Sequence, residues 1–245
     1  GKILHKISSE ICNGEELSDS FGRYFDNILI IKLIEAGEYG GILSDVLFSL
    51  SEYIEKDVLT QSRIQKIFNS IFVFLSFALF IYSSGIFPLM NKYPIYYFLP
   101  SLLFICCISY VFDQPKIYIL DKFAFNIPII NKYIIQKLSS NLYLLLVAGI
   151  PLIESLEISK NSSNNMYFKQ SLEFVQKKIR NGEELSKSFS NFGSYPNQFI
   201  KMIQIGEETG SLVFLLEQLK EIYSKNYKRD LQIILNIFKN ISYIF

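Results

Sequence analysis

The sequence predicts an all-α protein. Two copies of one cytoplasmic helical bundle are separated by a transmembrane helical hairpin, and the start of a third transmembrane helix follows. Three observations carry this prediction. First, 50% of the 245 residues are hydrophobic and only 19% are charged, with a mean hydropathy of +0.25. A soluble domain usually carries about a quarter charged residues, so the apolar surplus calls for lipid as a second solvent. Second, two uncharged runs occupy the middle of the chain. Third, the stretches flanking those runs repeat each other.

The first run extends from Ile67 to Asn91 without a charged side chain and is dense in Phe, Ile and Leu. About 21 helical residues at 1.5 Å each reach about 31 Å, the thickness of a hydrocarbon core. The second run, Tyr93 to Phe112, has Tyr93, Tyr96, Tyr97 and Tyr110 near its ends, where tyrosine suits the membrane interfaces. Pro100 inside it is tolerable as a kink. The predicted spans are 67–87 and 94–112, within a hairpin over 67–113. Lys92 is the one cation between them, whereas Lys56, Arg63, Lys66, Lys116 and Lys122 flank the hairpin. That asymmetry puts the long flanks, 1–66 and 114–231, in the cytoplasm. Neither predicted span holds Asp, Glu, Lys, Arg or His, which disfavours an ion or proton carrier.

Residues 232–245 turn apolar again, interrupted by Lys239. They read as the first turns of a third span, with an interfacial helix as the alternative. The chain starts at Gly1 and stops at Phe245 within this apolar stretch, so a fragment of a longer protein is expected.

The repeat is the strongest signal. Asn13-Gly14-Glu15-Glu16-Leu17-Ser18 recurs identically as Asn181-Gly182-Glu183-Glu184-Leu185-Ser186, and Ser20-Phe21 recurs as Ser188-Phe189. One extra residue later, Gly37, Glu38, Gly41, Leu43, Leu47 and Leu50 align with Gly206, Glu207, Gly210, Leu212, Leu216 and Leu219. The leucines keep an i, i+4, i+7 spacing that lays one apolar stripe along a helix. The glycines before each stripe suit the left-handed residue that ends a helix. In the second copy a further helix pair is legible upstream, with Gly149 as a stop and Pro151 at a first helical position. Its counterpart is missing before Gly1, so the first copy reads as lacking its opening helices. Residues 1–66 hold 7 basic and 11 acidic side chains and residues 113–231 hold 15 and 12, net −4 and +3.

Little in the chain points to chemistry. Cys12, Cys106 and Cys107 give no disulfide framework, and His5 is the only histidine. No zinc ligand set or Ser-His pair is available, so no catalytic, cofactor or metal site is expected. A P-loop and a G-x-G-x-x-G turn are both absent, so any ATP must be used by another protein. Glu15-Glu16 and Glu183-Glu184 read as helix starts, since neighbours on a helix point about 100° apart and cannot flank one bond. Near-neutral net charge excludes a direct nucleic-acid footprint. The group Lys225, Lys228 and Arg229, just before the last apolar segment, suits anionic lipid head groups.

These residues resemble a known family, the inner-membrane platform proteins of type II secretion and type IV pilus machines, including the competence pseudopilus. The resemblance covers nearly the whole chain. It rests on the duplicated domain, the hairpin, LLLVAGIPLIESL from Leu144, NGEELSKSF from Asn181 followed by Tyr195-Pro196, and IGEETGSL from Ile205. It implies a multi-pass, homo-oligomeric scaffold in the cell membrane, coupling a cytoplasmic assembly ATPase to pilin or pseudopilin subunits. Structural or partner-contact roles then fall on Gly37, Glu38, Gly206, Glu207 and Gly210 as GE turns, with Gly149 and Pro151 between helices. The first copy departs from the pattern, with Phe25-Asp26 opposite Tyr195-Pro196, and no Pro opens the third span. A composition rich in Ile, Lys, Asn, Tyr and Phe without Trp points toward competence proteins of low-GC Gram-positive bacteria. A secretion platform, an adhesive-pilus platform and, more remotely, a transporter are the alternatives.

Overall fold

The computed structural model describes residues 2–55, 121–122 and 125–242. The predicted spans 67–87 and 94–112 lie outside the described residues. Among the described residues every regular element is a helix, as the sequence predicts. The first copy contributes α1 (Lys2–Cys12), α2 (Leu17–Gly22), α3 (Ile28–Gly40) and a helical stretch over 43–55 (α4). The second contributes α5 (Pro128–Val147), α6 (Leu152–Asn161), α7 (Met166–Arg180), α8 (Leu185–Phe192), α9 (Asn197–Thr209) and α10 (Leu212–Ser242). Apart from Ile54 and Glu55, the described parts of both copies fall in one compact unit, residues 1–53 with 116–245.

Local chemistry sets the helix ends. The Asn27 and Asn165 side chains accept hydrogen bonds from the Leu29 and Phe168 amides, opening α3 and α7. Asp121 adds a second acceptor for α7, taking the Met166 amide at 2.6 Å. Pro128 sits in the first turn of α5, where its missing N–H costs nothing. Gly41 and Gly210 close α3 and α9 at φ 68° and 67°, the left-handed stops expected from the sequence.

The spine of the unit is the antiparallel pair α5 and α10. Lys132 pairs with Asp230, the Tyr133 and Tyr227 rings lie 5.4 Å apart, and the Lys220 ammonium sits 4.3 Å from the Tyr143 ring. These contacts run in opposite sequence directions, so the start of α5 lies beside the end of α10. The Gly149–Pro151 turn therefore shares the opposite end of the pair with the start of α10.

Two apolar clusters result. The larger joins Leu142, Leu156, Leu172, Phe189, Phe199 and Leu216 of the second copy. The smaller packs Leu29, Leu33, Ile34, Val46 and Leu50 of α3 and α4 onto Leu144, Leu145 and Ile158 of α5 and α6. Burying each such side chain contributes about 1.5–3 kcal/mol relative to leaving it in water.

Two sequence expectations need adjustment. Of the stripe predicted in the first copy, Leu50 is buried and Leu43 partly buried, but Leu47 is 38% exposed and Val46 is buried in its stead. The reason is that α4 turns its inner face toward α5 and α6 of the other copy. The pairing of Phe25-Asp26 with Tyr195-Pro196 shifts by one residue, because Asn27 and Pro196 occupy the same N-cap position. Residues 232–242 continue α10 without a break. Among the described residues no helix is long and apolar enough to cross a membrane.

Candidate functional site

Glu38 and Glu207 do the same thing in the two copies. Each carboxylate reaches from the end of its helix to the start of the preceding one and accepts two backbone hydrogen bonds. Glu38 takes the Leu17 and Ser18 amides at 2.6 and 3.0 Å. Glu207 takes the Leu185 and Ser186 amides at 2.5 and 2.8 Å. The residues that precede α2 and α8, Glu16 and Glu184, make no side-chain cap of their own. Each helix start therefore depends on a carboxylate about twenty residues further along the chain, which satisfies two otherwise orphaned donors and meets the positive end of the helix dipole.

Burial of Glu38 pushes its pKa up, but hydrogen bonds from the Ser18 side chain and from the Ser18 and Leu17 amides outweigh this. The carboxyl is held below its ordinary value.

The glycines beside these acids lie within helices, which corrects the reading of a GE turn. Gly37 belongs to α3 and Gly206 to α9, and both are buried. They permit a close approach. A Cβ on Gly206 would sit 2.9 Å from the Leu212 Cα, and one on Gly37 would sit 3.2 Å from the Leu43 Cα and Val46 Cβ. The turns themselves are formed by Gly41 and Gly210.

Gly149, at φ 84°, and Pro151, the N-cap of α6, turn the chain between α5 and α6. Gly149, Pro151, Gly206, Glu207 and Gly210 thus lie toward one end of the α5–α10 pair. Glu38 and Gly37 belong to the α3–α4 unit that packs on the last turns of α5.

Around these caps the copies differ in charge. Glu15 pairs with Arg23 at 2.7 Å, with Glu10 at 3.5 Å from the same guanidinium. Its counterpart Glu183 pairs with Lys178 at 2.6 Å and accepts from Asn191. The other repeated acids, Glu16 and Glu184, are solvent-facing neighbours of the helix starts.

Leu17, Ser18, Leu185 and Ser186 are the partners that sequence reading missed. The signal was present, because the phrase ending in Leu-Ser and the Gly-Glu pair recur at nearly the same separation. What sequence does not show is that the two fold onto each other. The extra residue in the second copy is absorbed within α8, which is two residues longer than α2 while the connection that follows is one residue shorter, so the contact survives the shift.

This arrangement organises helices. Among the described residues no group of His, Cys, Asp and Glu is placed to hold a metal ion.

The profile described as "Type II secretion system (T2SS), protein F" matches residues 1–87 and 138–245. The chain belongs to the type II secretion system protein F family. The match takes in both capped helix starts and both glutamates that cap them. Among relatives, the "Type IV pilus assembly protein PilC" of Pseudomonas aeruginosa is 23% identical over 91% of this chain and 70% of its own length. The protein of the same description from Thermus thermophilus is also 23% identical, over 91% of this chain and 64% of its own length. The "Type II secretion system protein F" of Vibrio cholerae is 22% identical over 96% of this chain and 67% of its own length. The chain thus spans about two thirds of the length of these family members.

Proposed function

We propose that this chain is part of a non-enzymatic, multi-pass membrane platform that assembles a pilus-like filament. It couples a cytoplasmic assembly ATPase to pilin or pseudopilin subunits and works as a homo-oligomer. In this reading the runs 67–87 and 94–112 anchor it in the cell membrane, residues 232–245 open a third span, and the two helical copies face the cytoplasm. The observation that carries the reading is that the residues shared by the two copies are used to brace helices, in a chain similar along most of its length to pilus-assembly and secretion proteins. A scaffold needs such bracing, and a catalyst would need convergent reactive groups.

Within that reading we assign the machine to competence, the uptake of DNA for transformation, with the protein touching no nucleic acid itself. The composition of the chain supports this assignment. The end of the α5–α10 pair that carries Gly149, Pro151 and Gly206 to Gly210 lies away from the apolar end of α10. It is the end that faces the ATPase.

Affinity purification of the full-length protein from gently solubilised membranes tests the proposal. Co-purification of an assembly ATPase and pilin-like subunits is the expected result, and the type of pilin names the machine. Pilins of a secretion or adhesive type would replace the competence assignment, and recovery of neither partner would overturn the platform reading.

A further inference from the structure

The last turns of α10 present a surface that the bundle does not use. Up to Leu231 the helix buries one stripe, Leu216, Leu219, Tyr223, Tyr227 and Leu231, against the rest of the unit. Beyond it Ile233, Leu235 and Ile237 are 51%, 43% and 52% exposed. Lys225, Lys228 and Arg229 are also exposed. Their i, i+3, i+4 spacing puts them on one face of the helix, turned away from the buried stripe. Lys225 and Lys228 make no ion pair among the described residues. Arg229 stands 3.6 Å from Asp230, whose carboxylate is also taken by Lys132. The acid at this level is therefore already neutralised, and the outward-facing charge is positive.

The position of this surface selects its occupant. Ile233, Leu235 and Ile237 follow these cations one to two turns further along the helix, on the flanks of the cationic face. Cations followed by apolar side chains along a helix match the order of phosphate and acyl chain met on entering a bilayer.

We propose that Lys225, Lys228 and Arg229 form a binding surface for anionic phospholipid head groups, with Ile233, Leu235 and Ile237 reaching the acyl region beneath. The surface fixes how far the bundle stands from the membrane and which way it faces. This rests on the membrane reading of the chain given above.

The test uses the full-length protein reconstituted into phosphatidylcholine vesicles, with and without phosphatidylglycerol. Vesicle flotation reads incorporation, and spin-labelled phosphatidylglycerol and phosphatidylcholine read lipid selectivity. The protein is expected to float with both vesicle types and to prefer phosphatidylglycerol. That preference should weaken as salt is raised and fall in K225Q/K228Q/R229Q, by up to about fivefold for each cation in full contact. The control K177Q/K178Q changes charge at the far end of α7, beside Glu173 and Glu183, and should leave the preference intact. Because the salt series needs no substitution, the proposal stays falsifiable if the triple variant misfolds. Incorporation without a salt-sensitive preference overturns the lipid surface and leaves the platform reading standing. Failure to float overturns both.

Discussion

The two copies share their internal wiring and differ in what covers them. In the second, α7 and α10 bury Leu172 and Leu216 completely against neighbouring helices. In the first, the repeat-equivalent Leu4 and Leu47 are 66% and 38% exposed. The carboxylate caps, the close-approach glycines and the left-handed stops are nonetheless present in both. Local bracing of helix starts and turns is therefore independent of the apolar cover. The cover comes from other elements, and α3 and α4 find theirs on α5 and α6 of the opposite copy.

The sharpest way to break the comparison is to empty equivalent leucine positions. Leu216→Ala removes a fully buried side chain and is expected to cost about 2–5 kcal/mol. Leu47→Ala removes one already partly in water and should cost less than about 1 kcal/mol. Thermal unfolding of the purified full-length protein, followed by circular dichroism, compares them. Equal losses would mean that the first copy has a cover like that of the second.

The caps come next. Glu207→Ala and Glu38→Ala each strand two helix N-terminal amides and should each cost about 2 kcal/mol. Similar losses in the two would support a bracing function common to both copies. If charge reversal at these positions abolished partner binding while the thermal midpoint stayed put, the carboxylates would be contact residues and the bracing account would fail.

Gly206 and Gly37 separate the copies more finely. An alanine Cβ at Gly206 meets backbone at 2.9 Å, and the shift it forces should cost about 1–3 kcal/mol. At Gly37 the nearest atoms stand at 3.2 Å, and the gain in helix propensity, about 1 kcal/mol, offsets much of the strain. Gly206→Ala should therefore lower the midpoint clearly and Gly37→Ala only slightly. The reverse order would contradict the packing described here.

How far these features were legible from sequence follows from their range. The left-handed stops at Gly41 and Gly210 depend on neighbours in the chain, and the repeat exposed them. The stripe at Leu216 and Leu219 was legible because the second copy carries its own cover upstream. Leu47 misled because periodicity marks an apolar face without saying which element lies on it. The acids of the Gly-Glu pairs were visible as repeated and charged, which suggested a helix-end, interhelix or partner contact without choosing among them. Their inward use depends on a fold-back of about twenty residues that no local pattern encodes.

The smallest effect concerns the ionisation of Glu38. Its carboxyl lies below its ordinary value in the folded protein, so the unfolded chain takes up a proton first as pH falls. The stability from the ionised cap is fully present above the ordinary carboxylate value. It is lost as pH falls through the depressed folded value. Glu38→Gln keeps the shape of the side chain and removes this titration. The gap between the wild-type and Glu38→Gln midpoints should therefore be constant near neutrality and shrink below about pH 4. It should be smaller than the loss in Glu38→Ala, because a neutral acid or amide still accepts one of the two hydrogen bonds. A gap that stayed constant down through that range would show that the cap acts through its shape and not through its charge.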